Sequence, residues 1–147
     1  MITLKVKGDL IKAFTLDKFD AIVHGCNCFC NMGAGIAKTI ANEFPIALET
    51  DKATRRGDES KLGRYTAVET EYGDIINAYT QFHYGFGKVN CDYDAILKVF
   101  TQLNKDYKGK TIGIPLIGCG LAGGDWNIVE KLINESTPDL YIHLYYL

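Results

Sequence analysis

"FDAIVHGCNCFCNMGAGIAKTIANEFP", residues 19–45, decides how this chain folds. It opens on a short apolar run, Ala21-Ile22-Val23, and passes through a stretch rich in cysteine, asparagine and glycine. It ends with Ile36, Ala37, Ile40, Ala41 and Phe44 at three-to-four spacing. The first run reads as a buried strand and the last as an amphipathic helix. That helix stops before Pro45, because a proline disfavours helical backbone in the residue ahead of it. Strand, glycine loop, helix is the building unit of an α/β protein.

The same alternation extends in both directions. "ITLKV" (2–6) reads as a first strand, and a second helical stretch is expected over Ile46 to Ala53. "GRYTAVETEYGDIINAYTQ" (63–81) holds two strand-like runs around a Tyr72-Gly73-Asp74 turn. "DYDAILKVFTQLNKDY" (92–107) is helical, with Ile96, Leu97, Phe100 and Leu103 on one face and Asp92 or Asp94 as its cap. "TIGIPLIG" (111–118) reads as a buried strand, "DWNIVEKLINES" (125–136) as a helix opened by Asp125, and "LYIHLYYL" (140–147) as a last strand. The pattern predicts a single α/β domain over residues 1–147, a three-layer α/β/α sandwich on a mixed, mostly parallel sheet. Ligands of such sheets bind beyond the carboxyl ends of the strands.

Bulk properties narrow the function classes. At 147 residues, 47% of them hydrophobic, the chain can bury a core of its own. A net charge of −2 argues against a binder that relies on a basic stripe along nucleic acid; Lys52, Arg55 and Arg56 form at most a local patch in a mixed-charge loop. "MITLKVKGDL" lacks the apolar core of a signal peptide, and no run approaches the ~18 apolar residues of a membrane span. Five cysteines, three of them crowded at 26, 28 and 30, fit free thiols in a reducing compartment, so a cytoplasmic location and no membrane partner are expected. Cys26-x-Cys28-x-Cys30 lacks the second pair and the wider spacing of a zinc site. No metal and no cofactor are therefore expected, and the thiols read as small residues filling space under a loop.

Two segments share one design. Ile22-Val23 leads to Gly33-Ala34-Gly35 and the helix from Ile36; Ile114 to Ile117 leads to "GCGLAGGD" (118–125) and the helix from Trp126. Glycine lets a ligand approach the backbone, and helix N-termini offer unpaired N–H groups that suit phosphate. Two such junctions point to a diphosphate ligand. Neither is followed by Gly-Lys-Ser/Thr, and neither shows the spaced dinucleotide fingerprint, which demotes P-loop and hydride-transfer chemistry.

"VKGDL" (6–10), "VHGCN…MGAGIA" (23–37) and "IPLIGCGLAGGDW" (114–126) together resemble the macro domain family, in its order and at its spacing. The likeness spans essentially the whole chain, with residues 50–110 matching only in outline. It is nearest the small branch that holds ADP-ribose 1″-phosphate phosphatases and terminal ADP-ribose glycohydrolases, whose short stand-alone members occur in microbes and bacteriophages. The resemblance implies that Asp9 accepts from the adenine amino group, with a backbone contact at Leu10 and an aromatic ring at Tyr145, Tyr146 being a weaker choice. It puts Asn27 at the distal ribose, Gly33, Ala34, Gly35 and Ile36 in the first loop, and Gly118, Cys119, Gly120, Leu121, Ala122 and Gly123 around the phosphates. ADP-ribose or its 1″-phosphate is then the small-molecule partner of an expected monomer, with nucleic acid entering only as an ADP-ribosylated substrate.

The enzyme reading rests on His24, which stands where the common form of the motif has asparagine and titrates near neutrality. It is expected to serve as general acid or base for release of the 1″-phosphate, with Asp125 orienting water or, alternatively, only capping its helix. Glycohydrolases of the family use a lysine and an aspartate that correspond here to Gln81 and Ala122, so removal of ADP-ribose from a macromolecule ranks second. A non-catalytic ADP-ribose-binding module is the third reading. His83 is expected in a lid, His143 in a structural position and Trp126 in the core.

Overall fold

Strand β2 (Ala21–Cys26) is the axis of the fold, hydrogen-bonded in parallel to β4 (Gly73–Tyr79) on one side and β5 (Thr111–Ile114) on the other. The computed structural model describes residues 1–84, 90–120 and 122–147; Leu121 and the 85–87 part of the expected lid lie outside them. Beyond β5 come β6 (Tyr141–Tyr146) and then β1 (Ile2–Lys7), both parallel, while β3 (Tyr65–Thr70) closes the other edge antiparallel to β4. The six-stranded order is β1-β6-β5-β2-β4-β3. The expected three-layer sandwich on a mixed, mostly parallel sheet is the observed fold.

Strand alternation sorts the core into two layers. Ala21, Val23, Ile76 and Ile112 face helices α4 (Tyr93–Asp106) and α5 (Trp126–Ser136), where Phe100, Leu103, Val129 and Ile133 cover them. Ile22 and Ile75 face the other way, against α1 (Leu10–Thr15), α2 (Gly35–Glu43) and α3 (Pro45–Lys52), with Phe14 and Ile40 at the centre of that layer. Pro45 ends α2 and begins α3, where a missing N–H costs nothing at the first helical position. Trp126 packs at the margin of the first layer, as expected, and His143 is half-buried with its ring against Phe19.

Two elements differ from the sequence reading. The strand expected over 111–118 ends at Ile114, because Pro115 lacks an N–H for the ladder and Ile117 donates back to the Pro115 carbonyl. Helix α1 was not anticipated: its six residues are too few to show a period. It packs on β5 at Gly113, where a Cβ would come within 2.8 Å of Leu10 Cδ1 and Phe19 Cε2. Gly113→Ala should therefore destabilise the fold by about 1–3 kcal/mol through overpacking. Urea denaturation followed by circular dichroism measures this; a loss below about 0.5 kcal/mol would mean that α1 and Phe19 move aside freely.

Candidate functional site

The carboxyl ends of β2, β4 and β5 release their chains into a cleft of about 350 Å³. Its near wall is the first glycine junction, with Asn27 after β2 and Ala34, Gly35, Ile36 and Ala37 at the start of α2. Its far wall is the second, with Pro115 to Gly118, Gly120 and Ala122; Gln81 and Tyr84 after β4 lie along the remaining side.

The starts of α2 and α3 have no side-chain cap, and that of α2 opens onto the cleft. Asp9, Asp92 and Asp125 cap α1, α4 and α5 by accepting from first-turn amides. The cap position of α2 is Ala34, whose side chain has no acceptor, so the first-turn amides of a nine-residue helix face the cleft without a carboxylate in front of them. An anion would complete that end, helped by the partial positive charge of the helix terminus. Gly35 takes φ +58°, the left-handed backbone that turns the loop into the helix.

The second wall is folded over a thiol. Gly118 has φ +77° and a Cβ there would meet Cys91 Sγ at 2.6 Å; one at Gly124 would meet the Gly118 carbonyl at 2.5 Å. The Gly124 amide donates to that same carbonyl at 2.6 Å, and Asn90 N–H donates to the Ala122 carbonyl at 2.8 Å. Both glycines are therefore required by close packing, and the loop is tied at both ends. Burial pushes the Cys91 and Cys119 thiols up to about 11, so both stay protonated near neutral pH.

Asn27 is buried, its side-chain amide donating to the Asn31 carbonyl at 2.8 Å while its oxygen accepts from Phe29 N–H at 2.9 Å. These two bonds hold the 27–31 loop and fix the amide at the cleft wall. One N–H and one lone pair remain for a ligand.

Several expected site residues stand elsewhere, and His24 is the main correction. Side-chain alternation along β2 sends it to the α3 side of the sheet, fully buried behind Cys26, whose Sγ lies 3.6 Å from its Nε2, and it does not itself line the cleft. Its Nε2 donates to Asn77 Oδ1 at 2.6 Å, and Asn77 Nδ2 in turn donates to the Ala47 carbonyl at 3.1 Å. Desolvation lowers the imidazole pKa to about 4, the Asn77 bond only partly opposing it. A neutral, fully buried ring that does not line the cleft cannot touch a bound ligand directly, so the expected general-acid role is withdrawn. Asp125 is the helix cap, accepting from Asn127 N–H at 2.9 Å, and does not line the cleft. Leu10 is a core residue, Asp9 caps α1 and Tyr145 packs edge-on against Phe19; these sit at the β1–β6 side of the sheet, beside the cleft rather than in it. Gly33, Cys119 and Gly123 belong to the two loops without lining the cleft. The reading missed Asn31, whose carbonyl anchors Asn27, and Tyr84; an isolated Asn or Tyr in a loop carries no pattern.

The three clustered thiols do pack under the first loop. Cys26 and Cys28 are buried with Tyr79, and Cys30 Sγ lies 3.3 Å from the Asp51 carbonyl oxygen. Burial raises the Cys28 thiol to about 11 and that of Cys26 well above its ordinary value.

Residues 23–133 match the family model of the macro domain. A 17.5 kDa protein of Enterobacteria phage T4 is 38% identical over 151 residues, covering 97% of this chain and 94% of that one. The DNA ADP-ribosyl glycohydrolase of Mycobacterium tuberculosis is 30% identical over 146 residues, covering 94% of this chain; the chain spans only 40% of that protein's length. Among solved structures, the macrodomain of Mycobacterium tuberculosis DarG superposes with a TM-score of 0.73 at 25% identity, covering 99% of this chain and 97% of that one. Thermosipho africanus DarTG in complex with ADP-ribose shares the fold at a TM-score of 0.74 and 18% identity, over 97% of this chain and 41% of that one.

The placement of His24 carries a stability consequence. Its folded pKa of about 4 lies below the ~6.5 of an unfolded histidine, so the unfolded state binds the extra proton. Stability is full above pH 6.5 and falls as the pH drops toward 4, by an amount on the order of 3 kcal/mol. Urea unfolding between pH 7.5 and 4.5 should show this slope, and His24→Gln should flatten it. An unchanged slope in the variant would assign the acid sensitivity to other groups.

Proposed function

The chain belongs to the macro domain family, and on that premise we propose that its cleft binds the ADP-ribose moiety and that the protein hydrolyses the bond at C1″ of the distal ribose. The observation that carries the binding reading is the uncapped start of α2, which lines one cleft with Gly118, Gly120 and Ala122 of the second loop. In this reading the amides of Gly35 to Ala37 and of the second loop hold the two phosphates. Asn27 holds the distal ribose diol through its remaining donor and acceptor. Adenine extends toward the β1–β6 edge, where Asp9 and Tyr145 stand, Asp9 accepting from its amino group with whatever capacity the cap leaves.

The hydrolytic reading takes support from the mycobacterial relative, a DNA ADP-ribosyl glycohydrolase by name. The lining also favours attack at carbon. Among the described residues that line the cleft there is no lysine, arginine or histidine, so the described wall meets charge on a phosphoryl group with backbone amides alone. Cleavage of the C1″–O or C1″–N bond builds positive charge on the ribose instead, and the diphosphate held close by offsets it. Water adds to C1″, the leaving group departs with the bonding pair and takes a proton from solvent, and free ADP-ribose results. Gln81 stands in the cleft where a lysine would be needed for a covalent route, and an amide is no such nucleophile.

ADP-ribose 1″-phosphate remains a substrate under this reading, with phosphate as the leaving group. The phosphatase reading differs in breaking P–O rather than C1″–O, and ¹⁸O-labelled water separates the two. Released phosphate that carries label supports the phosphatase; released phosphate free of label supports attack at carbon. Titration calorimetry with ADP-ribose tests binding directly. Asn27→Ala should weaken it about tenfold, the equivalent of ~1.4 kcal/mol. Binding with no release from any C1″ substrate would reduce the protein to a reader of ADP-ribose.

A further inference from the structure

A second group of reactive side chains is packed beneath the first loop, apart from the cleft lining. Lys61 closes the short 3-10 turn Glu59–Lys61 and is buried, at 8% exposure. Among the described residues no carboxylate forms an ion pair with it. Its Nζ donates instead to Thr54 Oγ1 at 2.9 Å and to Cys30 Sγ at 3.8 Å, and lies 5.1 Å from the centre of the Tyr79 ring. Asp51 belongs to the same group: Tyr79 O–H donates to its Oδ1 at 2.9 Å, while its Oδ2 is buried with no hydrogen-bond partner among the described residues. Cys30 Sγ rests on the end of α3, 3.3 Å from the Asp51 carbonyl oxygen and 3.7 Å from that of Thr54. Thr54 Oγ1 touches both partners, 3.5 Å from the sulfur and 2.9 Å from the nitrogen, and holds thiol and amine side by side.

Two features single out Cys30 among the three clustered thiols. Cys26 and Cys28 are buried, whereas Cys30 is half-exposed and within reach of a small oxidant. Its backbone takes φ +55°, a left-handed conformation in which glycine or asparagine is the easier choice, so the loop bears strain at the residue that faces Lys61. We propose that Cys30 and Lys61 form a peroxide-responsive modification site, at which oxidation of the thiol joins the two side chains through an S–N bond. The Cys30 thiolate attacks one oxygen of hydrogen peroxide: an S–O bond forms, the O–O bond breaks, and the departing hydroxide takes up a proton to become water. Sulfur is oxidised by two electrons to the sulfenic acid, and the peroxide is reduced. Lys61, after giving one proton to water, attacks that sulfur with the Nζ lone pair. The S–N bond forms, the S–O bond breaks, and the departing hydroxide becomes water with a second proton from the nitrogen. One thiol, one neutral amine and one peroxide thus give a sulfenamide and two waters, with no further oxidant. The bond ties the loop that carries Asn27 to the turn at 59–61, whatever the cleft binds.

The test is mass spectrometry of the full chain after treatment with a slight excess of hydrogen peroxide. The oxidised protein should be lighter by two hydrogens. Trypsin should then release residues 19–38 joined to residues 57–64, linked at Cys30 and Lys61, because the modified lysine is no longer cleaved. Dithiothreitol should restore the original mass, its thiolate attacking the sulfur and releasing the amine. Lys61→Arg keeps a cation but has no nucleophilic amine; it should abolish the joined peptides and let Cys30 advance to the sulfinic acid at the same peroxide dose. A loss of two hydrogens that persists in Lys61→Arg would assign the bond to a pair of thiols and overturn the proposal. Wild-type protein in which Cys30 gains oxygen without any joined peptide overturns it as well. Mapping of the wild-type chain decides between these outcomes even where the variant folds poorly.

Discussion

The six-stranded sheet turns on the placement of β2 between two parallel neighbours, which buries it on both faces from Ala21 to His24. That constraint dictates which side chains can do chemistry. Ile22 and His24 must enter the layer under α3, while Ala21 and Val23 enter the layer under α4 and α5. Only at Gly25 does the chain emerge into the cleft, and there a Cβ would sit 2.8 Å from Thr80 Oγ1. From that point on the ligand wall is made of backbone, carboxamide side chains at Asn27, Asn31 and Gln81, the Tyr84 ring and apolar side chains.

Helix termini distribute the electrostatics in the same spirit. Three aspartates neutralise the starts of α1, α4 and α5, which all lie away from the cleft or at its margins. The one start that opens onto the cleft beside the second glycine loop has an alanine instead. A carboxylate at position 34 would satisfy the same amides from within and repel an anion. The missing cap thus leaves an unmet hydrogen-bonding need that a phosphate can meet.

Most of the architecture was legible in the sequence, because long amphipathic segments such as 92–107 and the alternation of strand and helix carry strong periodicity. Both glycine junctions were legible for the same reason: each sits between a readable strand and a readable helix. What could not be read was direction. His24 and Asn27 stand three residues apart in one motif, and only the pleat of β2 reveals that one side chain goes behind the sheet and the other to the cleft. Asp125 shows the same ambiguity, since a cap and a catalytic carboxylate occupy identical places in sequence. The ring contacts of Phe29 with Phe82 and His83 were invisible because they join two loops more than fifty residues apart.

Binding and folding consequently answer to different variables. The described cleft wall is backbone amide, carboxamides at Asn27, Asn31 and Gln81, the Tyr84 ring and apolar side chains, and its Cys26 thiol is held neutral by burial. Amides do not titrate near neutrality and a diphosphate diester keeps its charge there, so the wall's affinity for such a ligand has no titrating group to follow. Stability does have one, in the neutral imidazole of His24 beneath the same loop. Acid would then reduce the population of folded protein before it altered the affinity of each folded molecule. An apparent loss of binding at low pH would report on the hidden histidine rather than on the site.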